Sequence, residues 1–208
     1  MYPNPFYLAS SIYRLKNPPV MPGMVSEYAR DLKNKTPMEI EQFVYTRIPY
    51  SYDWEVYSMP WYFPTLNEAL SRDSGDCKAR YLLFASLMEE LDIPYRKNFS
   101  LTHIWAEYEG KPQTALENTD ESMLTIDEEG SLSFSLPRPE LSRVRRSFVQ
   151  AFWEVMPVGR KYLLFTGFPL IVGFSYLPLP KSNRLLPSVS FLLPAKKKEL
   201  SRFAQPER

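Results

Sequence analysis

The chain has 208 residues, 44% of them hydrophobic, and a formal net charge of +1, which is enough apolar content for one ordinary domain with an appendage. The near-neutral total hides a division: residues 1–142 carry 13 Lys and Arg against 21 Asp and Glu, net −8, whereas residues 143–208 carry 12 against 3, net +9. A single cysteine and a single histidine exclude a zinc site of the usual kind, seven glycines without a glycine-rich loop exclude a phosphate cradle, and no basic stripe accompanies the aromatic residues, so neither metal, cofactor nor nucleic acid is expected.

Residues 1–23 hold five prolines and no uninterrupted apolar run, which reads as an extended arm with no signal-peptide pattern. Two helices follow, over 24–33 and 37–48, the second opened by Thr36 with Pro37 in its first turn and Glu39 at the capping-box position. An aromatic stretch spans 54–63. Thr65 with Glu68 repeats the capping signature before a short helix to about Arg72. Asp76 is a good N-cap residue after Gly75, so a longer helix begins at Cys77; Ala79, Leu82, Leu83, Leu87 and Leu91 form an apolar stripe that Tyr81, Phe84 and Met88 widen, which marks a helix buried on most sides. Asp92-Ile93-Pro94 forces its exit.

Residues 95–109 favour one or two strands, and a period of two places His103 and Trp105 on one face. Gly110-Lys111-Pro112 supplies turn chemistry, after which 113–119 is expected to return as the next strand of a hairpin. Asp127-Glu128-Glu129-Gly130 reads as a solvated turn, and 131–136 as a half-buried strand.

The basic tail contains the longest uncharged run, 19 residues from 162 to 180, flanked by Arg160, Lys161, Lys181 and Arg184. The run is borderline for a membrane span of about twenty residues, and Gly167, Pro169, Gly173 and Pro178 argue against one straight helix. A spanning or re-entrant segment, an interfacial loop held on anionic lipid, and a stretch folded against the preceding domain all remain open.

A thiol and an imidazole are the parts needed for nucleophilic acyl transfer, and Cys77 and His103 lie 26 positions apart. At a helix start the thiol meets the positive end of the dipole and free backbone N–H groups, which favour a thiolate and a developing oxyanion. A third residue on the expected return strand could orient the imidazole.

Thr65-Leu66-Asn67-Glu68-Ala69-Leu70, Gly75-Asp76-Cys77, the exit Leu91-Asp92-Ile93-Pro94-Tyr95-Arg96 and His103-Ile104-Trp105-Ala106-Glu107, in that order, resemble the transglutaminase-like core. The likeness covers roughly residues 25–120, about half the chain, and extends to the loop Tyr50-Ser51-Tyr52-Asp53. It implies that Cys77 is the nucleophile and His103 the general base. Leu116-Glu117-Asn118-Thr119 stands where the family has L-D-P-T, so Glu117 is favoured as the third member, with Asn118 or Asp120 as alternatives. The resemblance also puts the aromatic stretch beside the cysteine, with Trp54, Trp61, Tyr62 and Trp105 as substrate-binding candidates.

The expectation is an α+β, papain-like fold of the transglutaminase type, with a nucleophile helix packed on an antiparallel sheet. Residues 1–23 form the arm, 24–142 the catalytic domain and 143–208 a basic, hydrophobic segment. The implied activity is acyl transfer or hydrolysis at amide bonds of peptides or proteins through a Cys77 thioester, with a protease or amidase slightly favoured over a crosslinker. The alternative is an inactive peptide-binding or scaffold module of the same fold. A free thiol nucleophile points to the cytoplasm, with anionic membrane contact through 143–208 left open.

Overall fold

Proline placement decides where the chain first folds. Of the prolines near the N-terminus, none lies between Phe6 and Asn17, and that interval forms a helix, α1 (Pro5–Lys16), with Asn4 as N-cap and Pro5 in the first turn. The extended arm expected for this region is therefore corrected. Ser11 is buried and accepts a hydrogen bond from the Phe63 N–H, while Arg14 donates to the Phe63 carbonyl and pairs with Glu68, so tertiary contacts hold the helix.

The computed structural model describes residues 4–100, 102–114, 117–118, 122–126, 131–135 and 141–176. After a 3-10 turn (Pro22–Val25) come α2 (Ser26–Leu32), α3 (Pro37–Arg47), α4 (Asp53–Val56), α5 (Leu66–Arg72) and α6 (Cys77–Glu90). Both expected capping boxes form, Thr36 with Glu39 on α3 and Thr65 with Glu68 on α5. Strands β1 (Arg96–Phe99), β2 (Ile104–Glu107), β3 (Leu124–Ile126) and β4 (Leu132–Phe134) make an antiparallel sheet in the order β2-β1-β3-β4. Helix α7 (Leu141–Phe148), a π-helical turn (Val149–Glu154) and α8 (Val158–Tyr176) follow. The architecture is α+β: helices first, then a small antiparallel sheet.

The chain divides into two compact units, residues 1–168 and 169–208. This boundary lies beyond residue 142, where the change of charge placed it. Inside the first unit the basic segment touches the acidic part directly: Trp54 Nε1 donates to the Phe152 carbonyl at 3.3 Å, and the Arg160 guanidinium lies 5.1 Å from the Trp54 ring centre. Of the second unit, residues 169–176 are described and complete α8, which keeps Pro169 inside one helix. Among the described residues no single helix is long and apolar enough to cross a membrane, although one bent pair, Val144–Glu154 with Val158–Gly173, meets the length and composition together. The run beyond Tyr176 and the acidic turn at 127–130 lie outside the described residues.

The core gathers around α6. Leu82, Leu83, Leu87 and Met88 are fully buried, each contributing about 1.5–3 kcal/mol relative to exposure, and they pack with Ile40 and Val44 of α3, Leu66 and Ala69 of α5, and Ile104 of β2. Helix and sheet thus share one apolar layer, and the first turn of α6 emerges at its edge.

The hairpin differs from expectation. β1 pairs with β2 across residues 100–103, with Phe99 opposite Ile104, whereas none of the described residues between 111 and 118 is in a strand. Pro112 lacks an N–H for a ladder, and Thr114 and Glu117 bond to each other instead: the Thr114 N–H donates to the Glu117 carbonyl and the Glu117 N–H to Thr114 Oγ1, both at 3.1 Å. The sheet grows on the other edge of β1 through β3, whose three residues carry too short an alternation to stand out in the sequence.

Gly75 joins the entry of α6 to the preceding loop. Its N–H donates to the Pro49 carbonyl and its carbonyl accepts from the Ser51 N–H, a parallel bridge with Tyr50. A Cβ here would lie 2.5 Å from the Cβ of Ala79, inside the helix. Gly75→Ala is expected to lower stability by about 1–3 kcal/mol, the cost of overpacking a rigid contact, read as a lower urea midpoint; an unchanged midpoint would show that this approach is looser than described.

Candidate active site

Asp76 caps α6 by accepting from the Lys78 N–H at 3.0 Å, which fixes Cys77 as the first helical residue. The thiol is half-buried and opens into a cavity of about 70 Å³ that it shares with His103, Glu117, Trp105, Tyr50 and Arg80. His103 stands just before β2, where the Ser100 hydroxyl accepts from its N–H and its carbonyl accepts from the Ser100 N–H. The single thiol and the single imidazole meet on one cavity.

The ring is held from two sides. Its Nε2 lies 2.9 Å from Glu117 Oε1, leaving Nδ1 as the nitrogen available to the thiol, and Trp105 stacks on it at 5.9 Å between centroids with 21° between planes. Glu117 is in turn fixed by Lys111, whose Nζ is 2.9 Å from the other carboxylate oxygen, 2.8 Å from Glu41 Oε1 and 2.9 Å from the Ala106 carbonyl. Lys111 is 4% exposed at its side chain, Glu117 15% and His103 19%, so little solvent screens this row of alternating charge.

The electrostatics follow from that row. Burial alone would neutralise His103, but the Cys77 charge and hydrogen bond, together with Glu117, overcome it and push the imidazolium up to about 10. Burial likewise works against the Glu117 carboxylate, yet its bond to His103 and the Lys111 ammonium hold it down at about 2. Burial raises Tyr45 above the ordinary phenol range, with the charges of Glu117 and Glu41 adding to it.

A second buried cluster braces the helix entry. Lys78 Nζ pairs with Asp53 Oδ2 at 2.9 Å and with Asp76 Oδ2, and Asp53 Oδ2 also accepts from the Tyr62 N–H at 2.7 Å. The cluster therefore ties the aromatic loop to the residue next to the thiol. Burial raises the Asp53 carboxyl, and the Asp76 charge raises it further; Lys78 is raised in spite of burial by the same two carboxylates. Asp53 Oδ1 and the Tyr57 hydroxyl are buried with no hydrogen-bond partner among the described residues.

Of the sequence candidates, Cys77, His103, Glu117 and Trp105 come together at the cavity. Trp54, Trp61 and Tyr62 are not among its lining residues: Trp54 faces Phe152 and Arg160, Lys78 lies 5.8 Å from the Trp61 ring centre, and the Tyr62 hydroxyl bonds Glu68. Glu117 bonds the imidazole, Asn118 is not among the residues lining the cavity, and Asp120 lies outside the described residues. Glu117 itself is not in a strand. Lys111, Glu41, Arg80 and Lys78 were not singled out in the sequence. Lys78 carries a signal, since a lysine in the first turn of a helix buried on most sides needs partners; Lys111 carries none, because its turn hides the neighbours it acquires.

Among the described residues no three His, Cys, Asp or Glu side chains converge as a cation site requires. No protein-family model matches the chain, and no curated protein matches it.

Removing Lys111 takes from Glu41 its ion pair and leaves Glu117 with His103 alone. Lys111→Met is expected to cost about 3–5 kcal/mol at neutral pH. Because the folded Glu117 is held at about 2, below its ordinary 4.5, the stabilisation it shares with Lys111 is full above 4.5 and is lost as pH falls toward 2. The gap between wild type and Lys111→Met should therefore narrow between pH 7 and pH 3 in urea unfolding. A gap of constant size would contradict the pairing.

Proposed function

We propose that the chain is a cysteine acyl-transfer enzyme of the transglutaminase-like, papain-like type, acting on amide bonds of peptides or proteins, with hydrolysis favoured over amine transfer. The observation that carries this reading is the convergence of the single thiol and the single imidazole on one cavity, with Glu117 2.9 Å behind the ring. The order of motifs named above supports the family, and the packing of α6 against β2 supports the papain-like arrangement.

In this mechanism the Cys77 sulfur attacks the amide carbonyl carbon as a thiolate and forms a C–S bond, while the carbonyl oxygen takes the negative charge. The Cys77 backbone N–H, at the start of α6, stabilises that oxygen. His103, protonated on the side facing the thiol, gives its proton to the leaving nitrogen as the C–N bond breaks, and an amine departs. Water then attacks the thioester, His103 removes its proton, and the carboxylic acid leaves with the thiolate restored. Glu117 keeps the ring oriented and favours its charged form throughout, and Lys111 keeps Glu117 in place.

Intact-mass measurement of Cys77 alkylation by iodoacetamide tests the pair, since the chain has one thiol. Activation of the thiol by His103 predicts that alkylation at neutral pH slows at least about tenfold in His103→Ala. Equal rates in the two proteins would sink the enzyme reading and favour the binding module.

A further inference from the structure

Arg80 follows Cys77 by three positions on α6, on the same face of the helix, and lines the same cavity. Its Nε donates to the Ile48 carbonyl at 2.9 Å, and its guanidinium carbon lies 4.8 Å from the Tyr45 ring centre and 5.4 Å from that of Tyr50. Tyr50 in turn lies within the field of the Cys77 charge. A carbonyl and two aromatic rings therefore hold the guanidinium.

None of these partners is an acid. The other cations of the cavity and its floor each have a carboxylate: Lys111 has Glu41 and Glu117, His103 has Glu117, and Lys78 has Asp53 and Asp76. Arg80 alone among them makes no ion pair with any described residue, and its terminal N–H groups take no acceptor among those residues. A half-buried guanidinium fixed by its Nε and by stacked rings presents a planar fork that matches a carboxylate with two parallel hydrogen bonds.

We propose that Arg80 is the carboxylate-binding residue of the Cys77 cavity, so that the substrate is an amide carrying a carboxylate within a few atoms of the scissile carbonyl. This deepens the acyl-transfer reading and rests on it for the word substrate; the binding itself does not depend on catalysis. The acidic residues nearby are already engaged, Glu41 with Lys111 and Glu117 with both Lys111 and His103.

The test uses two alkylating probes of the same size, anionic iodoacetate and neutral iodoacetamide, on the full chain at neutral pH. Their rate ratio at Cys77 is normalised to that of a free thiol. In Arg80→Gln the ratio is expected to fall about fivefold, the effect of one unit charge acting across a solvated cavity. Arg80→Lys, which keeps the charge, should retain most of the ratio and guards against a folding defect. A ratio equal in all three proteins would overturn the proposal. The acyl-transfer reading fails separately, through iodoacetamide rates that ignore His103. The two sources of such a carboxylate, an acidic side chain and a chain terminus, are distinguished by whether N-acetylglutamate α-amide or N-acetylalanine better protects Cys77 from iodoacetamide.

Discussion

A charged imidazole can persist in a half-buried cavity only if an anion stands beside it. That constraint organises the site: His103, Glu117, Lys111 and Glu41 form a row in which each ionisable group meets one of opposite sign, and Cys77 opens onto the cavity that His103 lines. Removing a member takes from each neighbour a partner of opposite sign in a poorly solvated place, which costs more than the pair itself contributes. Glu117 is therefore more than an orienting group, since its second oxygen needs Lys111 as much as its first needs His103.

The fold delivers these residues from three places. α6 supplies Cys77 at its first position because Asp76 caps the helix and Gly75 allows the loop at Pro49 to Ser51 to lie against it. The connection from β1 to β2 supplies His103, and Glu117, bonded to Thr114, supplies the carboxylate. Lys78 between Asp53 and Asp76 clamps the aromatic loop to the same helix start, so a second ionic cluster holds the segment that carries the sulfur. The apolar stripe of α6 does the remaining work by burying the helix body against α3, α5 and β2.

Much of this could be read from the residues. The caps at Thr36, Thr65 and Asp76 announced three helix starts because N-cap chemistry is local. The pairing of Cys77, His103 and Glu117 was suggested by the order of motifs. What stayed hidden was non-local. The strand expected at 113–119 is absent among its described residues, where the Thr114 side chain takes the Glu117 N–H that a ladder would need, and alternation alone does not reveal such a bond. The N-terminal helix was missed because prolines on both sides masked the proline-free interval between them. Lys111 and Arg80 acquire meaning only through what surrounds them, one among carboxylates and the other among aromatic rings.

His103 is the single histidine, so its ring resonances can be followed without assignment of any other imidazole. The most direct measurement of the central claim is an NMR titration of that ring in wild type and in Cys77→Ala. The account places the wild-type midpoint near 10 and a lower one in the variant, because the Cys77 charge and hydrogen bond are the leading contributions that raise it. A midpoint near the ordinary 6.5, unmoved by loss of the thiol, would contradict a thiolate–imidazolium pair at this site.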